Sequence, residues 1–344
     1  MFTQVVEEQL AAARNILLMG MGGGYDVFAA LPLYFGLKQT AKTEKILLAN
    51  LTFTRNLEAK RGRRITPHCL EVRFSDYLHA GEHDAFDARH GFPRNYFPEF
   101  HLSKWFHDAH HLDTPVYALA QSSVDSFAAA LSALVTENSV DALVLVDAGV
   151  DSVLKGDEEQ LGTFAEDLLS LLAVQRQEAV PRTFLMCVGL GTEGGVSEYD
   201  FFENLAAIQR QGGFLGSVGW QSSQFGVRQY LDAIARSVPT NTTINQQIVA
   251  ALEGMHGQQL TPALRERGVT EDDLYINPLM TLAWFFDVSA VLRYRLFMDE
   301  FACAVGVPHL RQLMKRCRVR AGLETDGGWY QGPRPFRQMF PPKD

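Results

Sequence analysis

Two hydrophobic patterns alternate along the chain. Unbroken apolar runs open at Asn15 (NILLMG) and recur over Lys45 to Phe53 (KILLANLTF), Pro115 to Ala120 (PVYALA), Ala142 to Asp147 (ALVLVD), Arg182 to Gly189 (RTFLMCVG) and Phe214 to Val218. Strands covered on both faces read this way, whereas a half-solvated strand alternates. Between the runs, apolar residues return every three or four positions. They do so in the opening MFTQVVEEQLAAARN, in Phe28 to Leu37 with a bend at Pro32, and in Val124 to Asn138, Asp157 to Gln175 and Ser197 to Gln211. That spacing builds one helical face. Strand and helix in turn predict an α/β fold with a mostly parallel sheet flanked by helices.

Two regions depart from the alternation. From Arg55 to Asp113 the pattern weakens into His, Asp, Pro and aromatic residues, with a short strand expected over Cys69 to Phe74. From Gln221 onward no long apolar strand is apparent, and helices are expected over Phe225–Ser237, Thr243–Glu253, Pro278–Phe286 and Ser289–Val305. The expected organisation is an α/β domain over 1–220 with an irregular insertion at about 55–113, and a helical C-terminal portion over 221–325 packed on the same domain. An irregular Gly- and Pro-rich tail follows over 326–344.

Composition narrows the class. With 47% hydrophobic and 21% charged residues in 344, the chain has the make-up of a globular protein with a sizeable core. A net charge of −9 opposes a nucleic-acid or anionic-membrane surface, which needs clustered Lys and Arg. The basic run KRGRR (Lys60 to Arg64) is short and reads as a charged solvated loop. Cys69, Cys187, Cys303 and Cys317 form no C-x-x-C pair, so neither a zinc site nor a disulfide framework is expected. The N-terminal segment carries Glu7 and Glu8 and lacks a leader's basic start, and no apolar run reaches the ~18 residues of a membrane span. A soluble, cytoplasmic protein is expected, with a small-molecule ligand and homo-oligomerisation as the default for such enzymes.

Candidate chemistry lies in the loops that follow the strands. After the first strand come Gly20, Met21, Gly22, Gly23, Gly24, Tyr25 and Asp26. Bare glycine backbone lets a phosphate or sugar approach N–H groups at a helix start, although a tight turn with Asp26 as cap is the plainer alternative. Tyr25 occupies the third glycine position of a dinucleotide fingerprint, and the second strand ends at Asn50-Leu51-Thr52 without an acid for a ribose. A standard NAD-binding unit is therefore disfavoured, and no Walker lysine follows the glycines.

The strand ending in Asp147 opens into Gly149, Asp151, Gly156, Asp157, Glu158, Glu159 and Thr163. Carboxylates gathered at a sheet edge repel one another unless a metal, a cationic substrate or a retained proton joins them. Mg²⁺ or Mn²⁺ suits oxygen ligands, with Asp147, Asp151 and Asp157 as the metal candidates. Asp157, Glu158 and Glu159 equally fit the negative first turn of a helix. A third loop, Gly189-Leu190-Gly191-Thr192-Glu193-Gly194-Gly195, follows the next strand. Asp26, Asp147, Asp151 and Glu193 are the candidate catalytic groups. Gly20, Gly22, Gly23, Gly24, Asn50, Gly149, Gly156, Asp157, Thr163, Gly189, Gly191 and Thr192 are the candidate ligand-binding positions. His107, His110 and His111 in WFHDAHHLD would need a further ligand from His79, His83 or His90 to hold a metal, so a surface cluster is favoured. Trp220 reads as core packing.

Taken together, GGGYD, DAGVDSVLKGDE with GTFAEDLLSL, GLGTEGG and GGFLGSVGW occur in the order seen in the domain of unknown function 1152 family, which the chain resembles from about residue 14 to 325. The resemblance implies a Rossmann-like enzyme with a ligand at these loops and supplies no reaction. The expected activity is transferase or hydrolase chemistry on a nucleotide-like or phosphorylated small molecule. Two alternatives are an enzyme holding an amine or guanidinium with NAD or another nucleotide as cosubstrate, and a non-catalytic nucleotide-binding sensor.

Overall fold

The computed structural model describes residues 5–40, 43–54, 56–78, 96–177, 180–193, 196–237, 243–266, 268–270 and 274–323. His79, His83, His90, Gly194, Gly195 and the 326–344 tail lie outside the described residues. The strands are β1 (Asn15–Gly20), β2 (Lys45–Thr52), β3 (Arg63–Thr66), β4 (Cys69–Val72), β5 (Val116–Ala120), β6 (Ala142–Ala148), β7 (Thr183–Val188), β8 (Phe214–Gly219) and β9 (Leu282–Asp287). They form one sheet in the order β3-β4-β5-β2-β1-β6-β7-β9-β8. The central five, β5-β2-β1-β6-β7, are parallel. Antiparallel strands extend the sheet on both sides.

The unbroken apolar runs have a simple cause. Along β1, Leu17 and Met19 join one core while Ile16 and Leu18 join another, and β2, β6 and β7 divide their residues in the same way. Both faces are therefore covered. One layer contains the helices Val124–Glu137, Phe164–Gln175, Val288–Tyr294 and Val307–Arg320; the other contains Val5–Ala11, Leu31–Thr40, Pro98–His110 and Phe225–Ser237. The α/β class, the mostly parallel sheet and the helices toward the C-terminus follow the expectation from sequence.

Four local readings are corrected. Pro278–Phe286 is not a helix: a 3-10 turn over Pro278–Thr281 leads into β9, wedged between β7 and β8. A short apolar run gives no period by which to separate a buried strand from a helix, and the aromatic residues of LAWFFD favour the strand. The helix expected over Ser289–Val305 ends at Tyr294, and a second short one occupies Met298–Phe301. The helix expected from Asp157 starts at Phe164. Arg63 and Arg64 of the basic run lie in the edge strand β3, where Arg63 pairs with Glu71 and with Glu137 at 2.7 Å.

This topology positions the site. From β1 the chain moves through β2 to β5 on one side, then returns to β6 and β7 on the other. The loops leaving β1 and β6 therefore diverge, which makes the carboxyl ends of these two strands the switch point where open α/β sheets hold ligands.

Candidate functional site

Five carboxyl groups gather at that switch point. Asp147 is the penultimate residue of β6, Asp151 opens a 3-10 turn (Asp151–Val153), and Asp167 projects from the first turn of the helix Phe164–Gln175. One oxygen from each of these three lies within 4.8 Å of the others. Asp26, the first residue of the helix after the glycine loop, and Glu193, in the loop after β7, flank them. Asp151 and Asp167 are fully buried, and Asp26 and Asp147 are buried. Glu193 is partly exposed.

Each acid is held by short-range geometry. Asp26 Oδ2 accepts the Gly22 N–H at 2.8 Å, with Ala148 N–H also directed at this carboxyl. Asp147 Oδ2 accepts both the Ser152 hydroxyl and its N–H, the latter at 3.2 Å. Asp151 Oδ2 accepts the Thr163 N–H and, at 2.8 Å, its hydroxyl. Glu193 Oε2 accepts the Val150 and Asp151 N–H groups at 2.7 and 3.2 Å. Among the described residues, Asp151 Oδ1 and both oxygens of Asp167 are buried and receive no N–H or hydroxyl, these oxygens meeting only other carboxyls. Such atoms are costly in a native interior.

The electrostatics follow from burial first and mutual repulsion second. Burial and the neighbouring Asp151 push the Asp147 carboxyl up to about 8, against the opposing pull of the Ser152 hydrogen bonds. Burial followed by Asp147 raises Asp26, and burial followed by Asp151 raises both Asp167 and Glu193 well above the carboxylate range. Like charges crowded into a low-dielectric pocket keep protons unless a cation replaces them. Arg295 is the protein's own nearby cation. It is buried 4.5 Å over the Phe164 ring, and its Nη2 donates to the Ser152 carbonyl. Burial lowers its pKa, and Asp167 is the foremost of the acids opposing that shift.

The glycines make room for acids. A Cβ on Gly22 would lie 2.6 Å from Asp167 Oδ1 and 3.0 Å from Asp26 Oδ2. On Gly149 it would meet the Glu193 carboxyl at 2.6 Å, and on Gly162 it would run into Asp151 Oδ2. Gly20 backs against Asn50 Oδ1 and Val27 N, and Gly23, at φ 92°, against the Phe53 ring. Gly24 is also left-handed, at φ 64°.

Other predicted positions turn elsewhere. Asp157 pairs with Lys155 Nζ at 2.6 Å and does not join the trio; its place is taken by Asp167. Glu158 collects the Lys155 and Gly156 N–H groups at 2.6 and 2.7 Å, so these acids knot a turn ahead of the helix instead of beginning it. Thr192 donates its hydroxyl to Gly189 O at 2.7 Å, closing a loop in which Gly189 and Gly191 take φ of 96° and 91°. His107 packs on Phe74 and pairs with Asp108, His110 packs on Trp105, and His111 ends its helix at φ 55°. Trp220 is buried beside Tyr230.

Asn50 leads to a second buried acid. Its Nδ2 donates to Gly24 O at 3.0 Å and to Glu99 Oε1 at 2.7 Å, while the Thr52 hydroxyl donates to Glu99 Oε2 at 3.2 Å. Burial pushes Glu99 up to about 7. Sequence reading missed Asp167, Glu99 and Arg295. Asp167 shares the Phe164, Leu168, Leu171 stripe and Glu99 the Leu102, Ser103, Phe106 stripe, so the available signal was a charge at an apolar helical position.

No curated protein and no solved structure matches the chain. No described helix is long and apolar enough to cross a membrane. One family model covers residues 17–305, a span that takes in the glycine loop after β1, the acids after β6 and the loop after β7. The chain belongs to the family described as Protein of unknown function (DUF1152).

Proposed function

We propose that the chain is a divalent-cation-dependent enzyme of transferase or hydrolase type, acting on a nucleotide-like or phosphorylated small molecule at the carboxyl ends of β1 and β6. The observation that carries this reading is the trio Asp147, Asp151 and Asp167, in which Asp151 Oδ1 and both Asp167 oxygens are buried with no N–H or hydroxyl donor among the described residues. An all-carboxylate donor set suits a hard cation such as Mg²⁺ or Mn²⁺. A point charge also fits this enclosed trio better than a long amine, which would have to carry its chain into the interior.

In this reading Asp147, Asp151 and Asp167 hold the cation, which would polarise a phosphoryl oxygen and a bound water. Glu193 is the more accessible acid, beside Asp151, and with its carboxyl held above the usual range by burial and Asp151 it is the group assigned to exchange a proton with the attacking or leaving oxygen. Asp26 stays fixed by the Gly22 N–H.

Thermal unfolding of the full chain with Mn²⁺, Mg²⁺, nucleotides, sugar phosphates or spermidine tests the proposal, because a ligand of the native state raises apparent stability. The expected result is stabilisation by Mn²⁺ or Mg²⁺, increased further by a phosphorylated compound that the protein then turns over. Stabilisation by spermidine but by neither metal would support the amine-binding alternative. Nucleotide binding without turnover would support a sensor.

A further inference from the structure

Asp167 has more to satisfy than one cation among three acids requires. Its side chain is fully buried, and no N–H or hydroxyl among the described residues reaches either oxygen, the Asp151 carboxyl alone lying within hydrogen-bonding range. On one side it belongs to the trio with Asp147 and Asp151. On the other, its Oδ1 and Asp26 Oδ2 converge on the face of Gly22, at 2.6 and 3.0 Å from the place a Cβ would occupy. Gly22 therefore lets two carboxylates from different elements approach over bare backbone. Asp26 cannot swing away, because Gly22 N–H and Ala148 N–H both hold it.

Charge leads to the same place. A single divalent ion among Asp147, Asp151 and Asp167 leaves the trio and Asp26 together with two uncompensated negative charges, of which Arg295, whose Nη2 donates to the Ser152 carbonyl, offsets one. Ionised carboxylates crowded together in a protein interior repel one another strongly. A second divalent cation between Asp167 and Asp26 would remove the repulsion and give each Asp167 oxygen a partner. A bridging carboxylate is also the usual link in two-metal sites, where the ions stand ~3.5–4 Å apart.

We infer that the site is binuclear: one divalent cation held by Asp147, Asp151 and Asp167, and a second held by Asp26 and Asp167, with Asp167 bridging. This rests on the proposed cation dependence and extends it. The pair fits a substrate that offers two oxygens to two metals, as a phosphoester or a diphosphate does.

Isothermal titration of the metal-free full chain with Mn²⁺, followed by electron paramagnetic resonance of the loaded protein, tests the inference. The expected result is two Mn²⁺ per chain with an exchange-coupled spectrum, falling to one uncoupled Mn²⁺ in Asp26→Asn. The metal-free unfolding temperature of Asp26→Asn is expected to match or exceed that of the parent chain, which separates loss of a ligand from loss of fold. One uncoupled Mn²⁺ in the parent chain would overturn the binuclear site and leave the single-cation reading standing. No Mn²⁺ binding would overturn both, and two Mn²⁺ retained in Asp26→Asn would remove Asp26 from the second site.

Discussion

Asp167 and Glu99 are both acids in apolar helical stripes, yet different tests reveal them. Asp167→Asn needs no retained proton to sit among the acids and supplies an amide donor to its neighbours. In chelator it is expected to raise stability by about 1–3 kcal/mol, and in Mn²⁺ to lower it below the parent chain. Thermal unfolding under both conditions should show the two curves exchanging order; parallel behaviour would remove Asp167 from the ligands. Glu99 is a test of pH. Its folded pKa of about 7 lies above the ordinary glutamate value, so the native state holds a proton that the unfolded chain releases. That proton favours the fold fully below pH ~4.5, and the contribution is lost as pH rises through ~7, a change of roughly 3 kcal/mol. Relative to the parent chain, Glu99→Gln should therefore gain about that much stability between pH 4.5 and 8 in urea unfolding. A difference independent of pH would mean that Glu99 is already ionised in the fold.

At the scale of the element, the glycine loop after β1 makes room for acids. Gly22→Ala would place a methyl against Asp167 and Asp26, and a loss of at least about tenfold in Mn²⁺ affinity is expected. Gly36 provides the contrast. It lies within the helix Leu31–Thr40, and a Cβ there meets nothing within 4 Å. Gly36→Ala should add about 0.5–1 kcal/mol of stability and leave Mn²⁺ affinity unchanged, as denaturant titration and calorimetry would show. Loops at strand ends were legible because glycine and strand-end acids are unusual in local sequence. The role of Asp157 was not, since Asp157, Glu158 and Asp167 are all acids near a helix start. Only Lys155, which pairs with Asp157 at 2.6 Å, separates it from the trio.

For the whole molecule, β9 decides how much chain the fold needs. It joins β8 to β7, and β8 pairs with no other strand among the described residues. A chain ending at residue 220 lacks β9 and exposes the hydrogen-bonding edge of β7 as well as the whole of β8. It is expected to aggregate or to show no cooperative unfolding by circular dichroism. A soluble, cooperatively unfolding 1–220 fragment would mean that the parallel strands suffice. Arg295 makes a related connection, since the C-terminal region delivers its guanidinium to the Ser152 carbonyl, next to the Asp147 hydrogen bonds.

The sequence by itself determined the α/β class, the places of the five central strands and most helices, because continuous apolar runs and 3.6-residue periodicity record burial directly. It also determined that Asp26, Asp147, Asp151 and Glu193 stand at or just beyond strand ends, because the ends follow from the runs. Only the tertiary structure decided which acids meet. The order β2-β1-β6-β7 brings three separate loops to one place, and the turn of the helix Phe164–Gln175 adds Asp167 to it. It alone also decided that β9 belongs to the sheet, since LAWFFD has no period to read and its strand form depends on the partners β7 and β8 on either side. Local pattern encodes whether a residue is buried; which buried residues become neighbours is a property of topology.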